Sequence, residues 1–483
     1  MTTTQTGQRR LVIEPVTRVE GHGKVTIMLD EQDQVTQARL HIVEFRGFER
    51  YVQGRPYWEM PVLVQRLCGI CPVSHHLAAA KALDMVVGVD KLTATGEKMR
   101  RLMHYGQTFQ SHALHFFHLV SPDLLFGFDA DPAIRNVIGV AKDPRFQELA
   151  VRGVLMRKYG QEIIEATSGK KIHGTGAIPG GINRHLDPER KAHFLAGIDQ
   201  MVEWSEQTLD LCKGYTRDHL EELAGFGTVP MSSMSIVRED GCFDLYDGNL
   251  RCVDVDGNII FDQVKAEDYH TVIAEEVKSW SYMKFPFIKA LGPEKGWYRV
   301  GPLARMNTCT YIDTPLAEAA RAEFMEELGG GKPVQVCMAY HWARLIETLH
   351  AAEKMRELLN DPDLMSGERV ATGTRRRTGV GILEAPRGTL IHHYDVADDD
   401  TIAMANLIVS TTHNNEPMNR SVTKVAVDEL SGKEITEGLL NRVEIAIRAY
   451  DPCLSCATHA VGRMPLEICL YDADGKLLDQ KAT

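Results

Sequence analysis

Two Cys-x-x-C pairs stand near opposite ends of the chain, Cys68-Gly69-Ile70-Cys71 and Cys453-Leu454-Ser455-Cys456, with Cys71 and Cys453 382 positions apart. One such turn offers two thiolates to a single metal ion, and two together make a four-sulfur site. If both pairs grip one centre, the intervening chain has to bring its ends together, which favours one large body over domains strung in series. The other six cysteines, Cys212, Cys242, Cys252, Cys309, Cys337 and Cys469, are scattered singly and read as small buried hydrophobes. Ten cysteines in 483 residues are too few for a disulfide scaffold. The separation is also far from the roughly 15 to 20 residues between the pairs of an ordinary zinc site. On residue chemistry alone zinc, an iron–sulfur cluster and other thiophilic metals stay open. A thioredoxin-like disulfide is weaker, because neither pair follows a clear βαβ unit.

Charge and hydropathy narrow the setting. Lys and Arg number 54 against 66 Asp and Glu, a net charge of −12, which argues against a nucleic-acid partner and an anionic membrane surface. Met1–Arg10 is polar, and no apolar run reaches the roughly 18 residues of a membrane span. Arg9-Arg10 is not a twin-arginine signal, since Glu14, Pro15 and Arg18 follow where a hydrophobic stretch is needed. A cytoplasmic protein with reduced thiols is expected, not an integral membrane protein.

The pattern along the chain predicts an α+β, mainly α fold. Lys24–Leu29 and Val35–Phe45 read as a hairpin, and Asn249–Val264 as a strand-turn-strand insertion. Helices are expected from Pro72, over Gly96–Val120 with Pro122 as the stop, from Asp187-Pro188, from Thr314-Pro315 to Gly329, and over Val336–Leu359. There is no repeat and no linker that would divide the chain.

The flanks of the cysteines decide the chemistry. Arg66-Leu67-Cys68-Gly69-Ile70-Cys71-Pro72-Val73-Ser74-His75 and Asp451-Pro452-Cys453-Leu454-Ser455-Cys456-Ala457-Thr458-His459 resemble the signatures of the large, catalytic subunit of [NiFe]-hydrogenases. The resemblance extends to Arg18–His22, Arg46–Glu49, Gln110–His118, Glu384–Gly388 and Val409–Asn414, and so covers nearly the whole chain. It implies the fold of that family, a central bundle of long helices with small peripheral β elements, as one catalytic domain over residues 1–459. It also implies a nickel–iron centre with CO and cyanide on the iron, Cys68 and Cys453 as terminal nickel ligands, and Cys71 and Cys456 as bridges to iron. Splitting dihydrogen heterolytically needs a Lewis-acidic metal for the hydride and a base for the proton, which a soft site with an open position suits and a closed zinc tetrahedron does not.

Further roles follow from the same match. Glu20 stands where the family has its proton-gate glutamate, taking the proton from Cys453, and Arg387 where an arginine hangs over the open metal position. Thr411 would be a second donor toward a cyanide, and His75 would hydrogen-bond the Cys71 sulfur. Ser111 departs from membrane-associated uptake members, which carry an aspartate there; Asp451 would take over as the partner of Arg387. With the wording of Gln110–His118, this brings the chain closest to soluble, bidirectional NAD-reducing hydrogenases. His112, His115 and His118 read as packed histidines, because i, i+3, i+6 drifts off one helix face. Glu49, the carbonyl of Leu407 and His459 match a structural Mg²⁺ (or Fe²⁺) site.

No G-x-G-x-x-G follows a predicted strand, and no further cluster motif is present, so the chain itself is expected to bind no NAD, flavin or iron–sulfur cluster. The implied partners are an iron–sulfur small subunit, flavin- and NAD-binding diaphorase subunits, metallochaperones and a maturation endopeptidase, with H2 and protons as substrates and no nucleic acid. The alternatives are the same chemistry coupled to NADP, a deazaflavin or ferredoxin, or a hydrogen-sensing subunit; an electron-relay subunit of the Complex I type is disfavoured by the four cysteines. The resemblance further implies a cut between His459 and Ala460, removing residues 460–483. Mass spectrometry of active protein is expected to find a chain ending at His459; one ending at Thr483 excludes this processing.

Overall fold

The structure is a computed structural model and describes residues 2–3, 9–458, 467–471 and 477–482. Helix α1, Pro72–Val86, starts directly on Cys71 with proline in its first turn, where a missing N–H is harmless. Four long helices build the centre: α2 (Ala94–Leu114), α3 (Gln147–Ser168), α4 (Pro188–Asp218) and α5 (Tyr340–Asn360). The Thr93 hydroxyl caps α2 by accepting from Gly96 N, and Asp187 caps α4 by accepting from Glu189 N and Arg190 N. Helix α2 packs between α3 and α5, and α5 also lies on α4. The α2–α3 crossing is close because glycines meet there: a Cβ on Gly160 would stand 2.6 Å from the Gly106 carbonyl oxygen and 2.8 Å from Gln110 Cβ.

One helix end differs from the sequence expectation. Pro122 does not stop the chain that begins at α2; instead α2 passes into a π-helical turn, His115–Val120, and then into a helix over Ser121–Phe126. Pro122 lies in the first turn of that last piece, so it interrupts no established hydrogen bond, and Gly127 ends the run at φ 94°.

Strands β1 (Arg9–Ile13), β2 (Gly23–Leu29) and β3 (Val35–Ile42) form an antiparallel sheet with the expected hairpin between β2 and β3. A second antiparallel meander, β4 (Thr378–Ala385), β5 (Gly388–Val396) and β6 (Ile402–Ile408), carries α1 across β4 and β5. Strands β4 and β5 are buried on both faces along most of their length, so they lack the alternation that marks a half-exposed strand. Helices α6 (Asn415–Leu430) and α7 (Glu437–Tyr450) pack on each other, and α6 covers β3. The Asn249–Val264 insertion pairs as Asn249–Val253 with Ile259–Val264, and Glu467–Tyr471 pairs antiparallel with Leu477–Ala482. One hydrophobic cluster runs through the bundle, with smaller ones under α1 and beside Tyr298. Among the described residues no helix is long and apolar enough to cross a membrane.

Histidines are packed into this core as neutral rings. His76 Nδ1 faces the Pro61 carbonyl at 2.7 Å while its Nε2 accepts from Ala177 N at 2.9 Å, and His104 Nε2 lies 2.9 Å from the Glu384 carbonyl. Burial pushes His76, His104 and His350 down from 6.5 to about 4. Between those values the unfolded chain binds protons that the folded one refuses, so stability falls as the pH drops through this window. Thermal unfolding is therefore expected at a lower temperature at pH 5 than at pH 7.5; an unchanged midpoint contradicts neutral burial of these rings.

Candidate metal centre

The four cysteines of the two motifs meet. Their sulfurs all lie within 4.8 Å of one another, and all four residues are buried. Cys68 Sγ is 3.1 Å from Cys453 Sγ, Cys71 Sγ is 3.6 Å from Cys456 Sγ, and Cys453 Sγ is 2.7 Å from Cys456 Sγ. The first pair occupies the turn before α1, whose N-terminal end favours thiolate. Within that turn Ile70 N and Cys71 N both donate to Cys68 Sγ at 3.2 Å. Gln107 and Gln110, one turn apart on α2, both donate to the Ile70 carbonyl, and His173 Nε2 reaches the Cys68 carbonyl at 3.0 Å. The second pair follows α7, where Asp451 takes a left-handed conformation (φ 53°) that turns the chain toward the first pair.

Burial alone would raise the Cys68 thiol, but hydrogen bonds from Cys453, Cys456 and Cys71 and the charge of Arg387 carry it well below its ordinary value. Burial pushes Cys453 and Cys456 well up. Ionising all four in so small a dry volume requires a multivalent cation, and four thiolates form a donor set for a soft one. The residues present therefore fit a thiolate-bound metal centre.

Glu20 stands beside this cluster. Its segment runs parallel to Cys453, with Leu454 N donating to the Glu20 carbonyl at 3.0 Å. Its Oε2 accepts from Cys453 Sγ at 3.0 Å and from Ser455 N at 3.1 Å. Gly21 makes the approach possible: φ is +82°, and a Cβ there would lie 2.7 Å from Ser455 N. Burial and the nearby Cys68 charge raise the Glu20 carboxyl against the hydrogen bonds it accepts.

Arg387 lies in the two-residue turn between β4 and β5 and is 3% exposed. It donates to Asp451 Oδ1 at 3.0 Å and to Ser111 Oγ at 3.3 Å, so both sequence-selected partners reach it. Its Nε is buried with no partner among the described residues. Thr411 Oγ1 accepts from Cys453 N at 2.9 Å, which leaves its own hydroxyl hydrogen for donation. His75 is buried, but its Nδ1 pairs with His392 Nε2 at 3.1 Å, and His392 Nδ1 lies 2.8 Å from the Tyr394 hydroxyl. The sequence reading missed His392, whose place opposite His75 depends on the register of β5. His112 and His115 are structural: His112 Nε2 meets Glu347 at 2.9 Å and His115 Nε2 the Arg448 carbonyl at 2.8 Å.

The expected hard-cation site is partly in view. The backbone N–H of Leu407 donates to Glu49 at 2.9 Å, which places Leu407 beside the Glu49 carboxylate. That carboxylate is also met by the Lys284 ammonium, 3.2 Å from both its oxygens, and Lys284 further reaches Glu275 and Asn406 at 3.4 Å. Nothing in the local sequence marks Lys284 or Glu275 as belonging here. Arg46 N and Gly47 N donate to the Thr458 carbonyl, so the chain arrives beside Glu49; His459 and Ala460 lie outside the described residues.

Comparison with known proteins bears on this arrangement. The nickel-dependent hydrogenase family matches residues 46–133 and 155–459, and a family described as HoxL-like matches 10–45. The chain is 48% identical to the NAD-reducing hydrogenase HoxS subunit beta of Cupriavidus necator, over 98% of this chain and 99% of that one. It is 42% identical to a subunit of the F420-non-reducing hydrogenase of Methanothermobacter marburgensis, over 97% and 99%. The crystal structure of an NAD+-reducing [NiFe]-hydrogenase in the H2-reduced state superposes with a TM-score of 0.91 at 56% identity, covering 93% of this chain and 99% of that one.

Replacing Cys456 with serine is expected to abolish retention of nickel by the purified protein, whereas serine at Cys212, buried in the bundle, leaves it intact. Elemental analysis of the two variants checks this, and stoichiometric nickel in the first contradicts it.

Proposed function

Because the chain belongs to the nickel-dependent hydrogenase family, as a large, metal-binding subunit, we propose that it carries out reversible cleavage of H2 coupled through partner subunits to NAD. The observation that carries this is the meeting of four buried cysteine sulfurs within 4.8 Å of one another, with a carboxylate on one of them. NAD as acceptor rests on the C. necator relative and the NAD+-reducing structural neighbour. Flavin-containing diaphorase subunits, together with an iron–sulfur small subunit, would carry the electrons away.

Cys68, Cys71, Cys453 and Cys456 would hold a nickel–iron centre with CO and cyanide on the iron, which would supply the Lewis acid for H2. The protein then has to take up a proton and keep water out. Cys453 Sγ is the atom from which Glu20 receives the proton; Ser455 N–H holds the Glu20 carboxylate in place, and burial raises the carboxyl, which makes it a better proton acceptor than an exposed glutamate. The half-buried position of Glu20 opens the way outward. Arg387, held by Asp451 and Ser111, keeps a fixed positive charge near the reacting position without being a proton store. The spare Nε of Arg387 and the hydroxyl of Thr411 are the donors available to cyanide nitrogens. His75 would hydrogen-bond the Cys71 sulfur, with its Nδ1 held by His392.

Near Glu49 two carboxylates, Glu49 and Glu275, share one ammonium, and Glu275 Oε1 is buried with no partner among the described residues. That surplus of negative charge suits a Mg²⁺ or Fe²⁺ ion shared with Leu407 and His459. Metallochaperones and an endopeptidase acting at His459–Ala460 complete the assignment, with maturation and turnover in the cytoplasm.

The purified multi-subunit complex is expected to reduce NAD under H2, and Glu20→Gln to lower H2/D⁺ exchange by about 10²- to 10⁴-fold while nickel and the infrared bands of CO and cyanide persist. H2-dependent reduction of another acceptor but not of NAD overturns the coupling; full exchange in the variant overturns the role of Glu20.

A further inference from the structure

Three buried guanidinium groups, Arg305, Arg344 and Arg387, sit with three buried carboxylates, Glu347, Glu384 and Asp451, in the interior behind the Arg387–Asp451 pair. Arg305 is fully paired: it donates to both oxygens of Glu347 at 2.6 Å and to Glu384 at 2.7 Å. Arg387 takes Asp451 Oδ1. Arg344 is different. Its hydrogen bonds go to backbone carbonyls, Tyr340 at 3.3 Å and Ala449 at 3.1 Å, and its Nε has no partner among the described residues. A buried cation without a carboxylate hydrogen bond is costly to keep in a core. Burial pushes Arg344 down to about 10, with Asp451 and then Glu347 as the main opposing charges, so it remains a cation at neutral pH. Glu347 already serves Arg305 and His112. Asp451 Oδ2 is buried and unpartnered among the described residues.

The carbonyl that Arg344 takes belongs to the last turn of α7, where the helix dipole favours a cation. The neighbouring Arg448 carbonyl is taken by His115 Nε2 and by Asp451 N. Two side chains from the bundle, one on α5 and one on the π-helical turn, thus close the helix end from which Asp451, Pro452 and Cys453 follow.

We propose that Arg344 is a positioning residue of the metal centre: without touching the cysteines, it closes the end of α7 and stands as a second cation for Asp451, and so fixes where the Asp451–Arg387 pair holds its guanidinium beside the sulfurs. The inference rests on the hydrogen-cleaving reading of the centre. A cap alone requires only a donor, whereas this role requires the charge and the forked geometry together.

The test uses the assembled complex with Arg344→Gln, which can donate but carries no charge, and Arg344→Lys, which keeps charge without the fork. Nickel content, H2/D⁺ exchange, the KM for H2 and the infrared bands of CO and cyanide are measured on each. The expected result for the Gln variant is full nickel, unchanged KM, exchange lowered about 10- to 100-fold and displaced cyanide bands, with Lys restoring part of the rate. Wild-type exchange with unmoved bands in the Gln variant, or a loss that only tracks missing nickel, overturns the proposal. If the Gln variant does not assemble, the Lys variant decides it: full exchange and unmoved bands there overturn the proposal equally. Absence of exchange in the wild-type complex counts against the hydrogenase reading and is seen before any variant is compared.

Discussion

Four thiols confined to one dry volume are the constraint on which the rest of this molecule depends. Packed to within 4.8 Å of each other, they repel as thiolates and gain little as thiols, so they stay together only because backbone far from the sulfurs holds them. That backbone is supplied at two levels. Locally, the turn before α1 is pinned by Gln107, Gln110 and His173 on its carbonyls. Globally, the bundle of α2 to α5 fixes where that turn stands relative to the end of α7.

The two sides of the centre are built from opposite electrostatic materials. On the side of Glu20 the acid is half-buried, raised by burial and by the Cys68 charge, and tied to the sulfur it serves. On the side of Arg387 the charges are fixed, deeply buried and paired with one another. A group that exchanges protons needs a path to water and a carboxyl near its working range; a group that supplies a constant field needs neither. The division follows from which element carries each residue, a strap at the surface for Glu20 and a tight hairpin between buried strands for Arg387.

What the sequence made legible follows the same physics. The cysteines, Glu20, Arg387, Ser111, Asp451 and Thr411 lie in short segments whose flanks carry a strong pattern, and the structure brings all of them together. The helices announced by Asp187-Pro188 and by Pro72 begin as read, because their caps are local. Strands β4 and β5 were not legible because both their faces are buried, and α3 was not because glycines (Gly153, Gly160) stand on its buried face while Val151, Val154 and Leu155 are exposed, which blurs its apolar stripe. Pro122 misled for a local reason: a proline signals a stop only when it falls in a helix interior, and the π-helical turn before it began a new first turn. Lys284, His392 and Arg344 come from segments with no motif and reach the site through tertiary contacts alone.

The bridge between Glu20 and Cys453, with Arg46 and Gly47 bound to the Thr458 carbonyl, joins the first part of the chain to residues synthesised some four hundred positions later. During synthesis the bundle and the first cysteine turn can form while the partner for Glu20 does not yet exist. The centre is thus assembled by the slowest kind of contact, one of very long sequence separation. Until the second pair arrives, the first two sulfurs stand at an unfinished edge, with neither their partner thiols nor the Glu20 contact that completes the cluster.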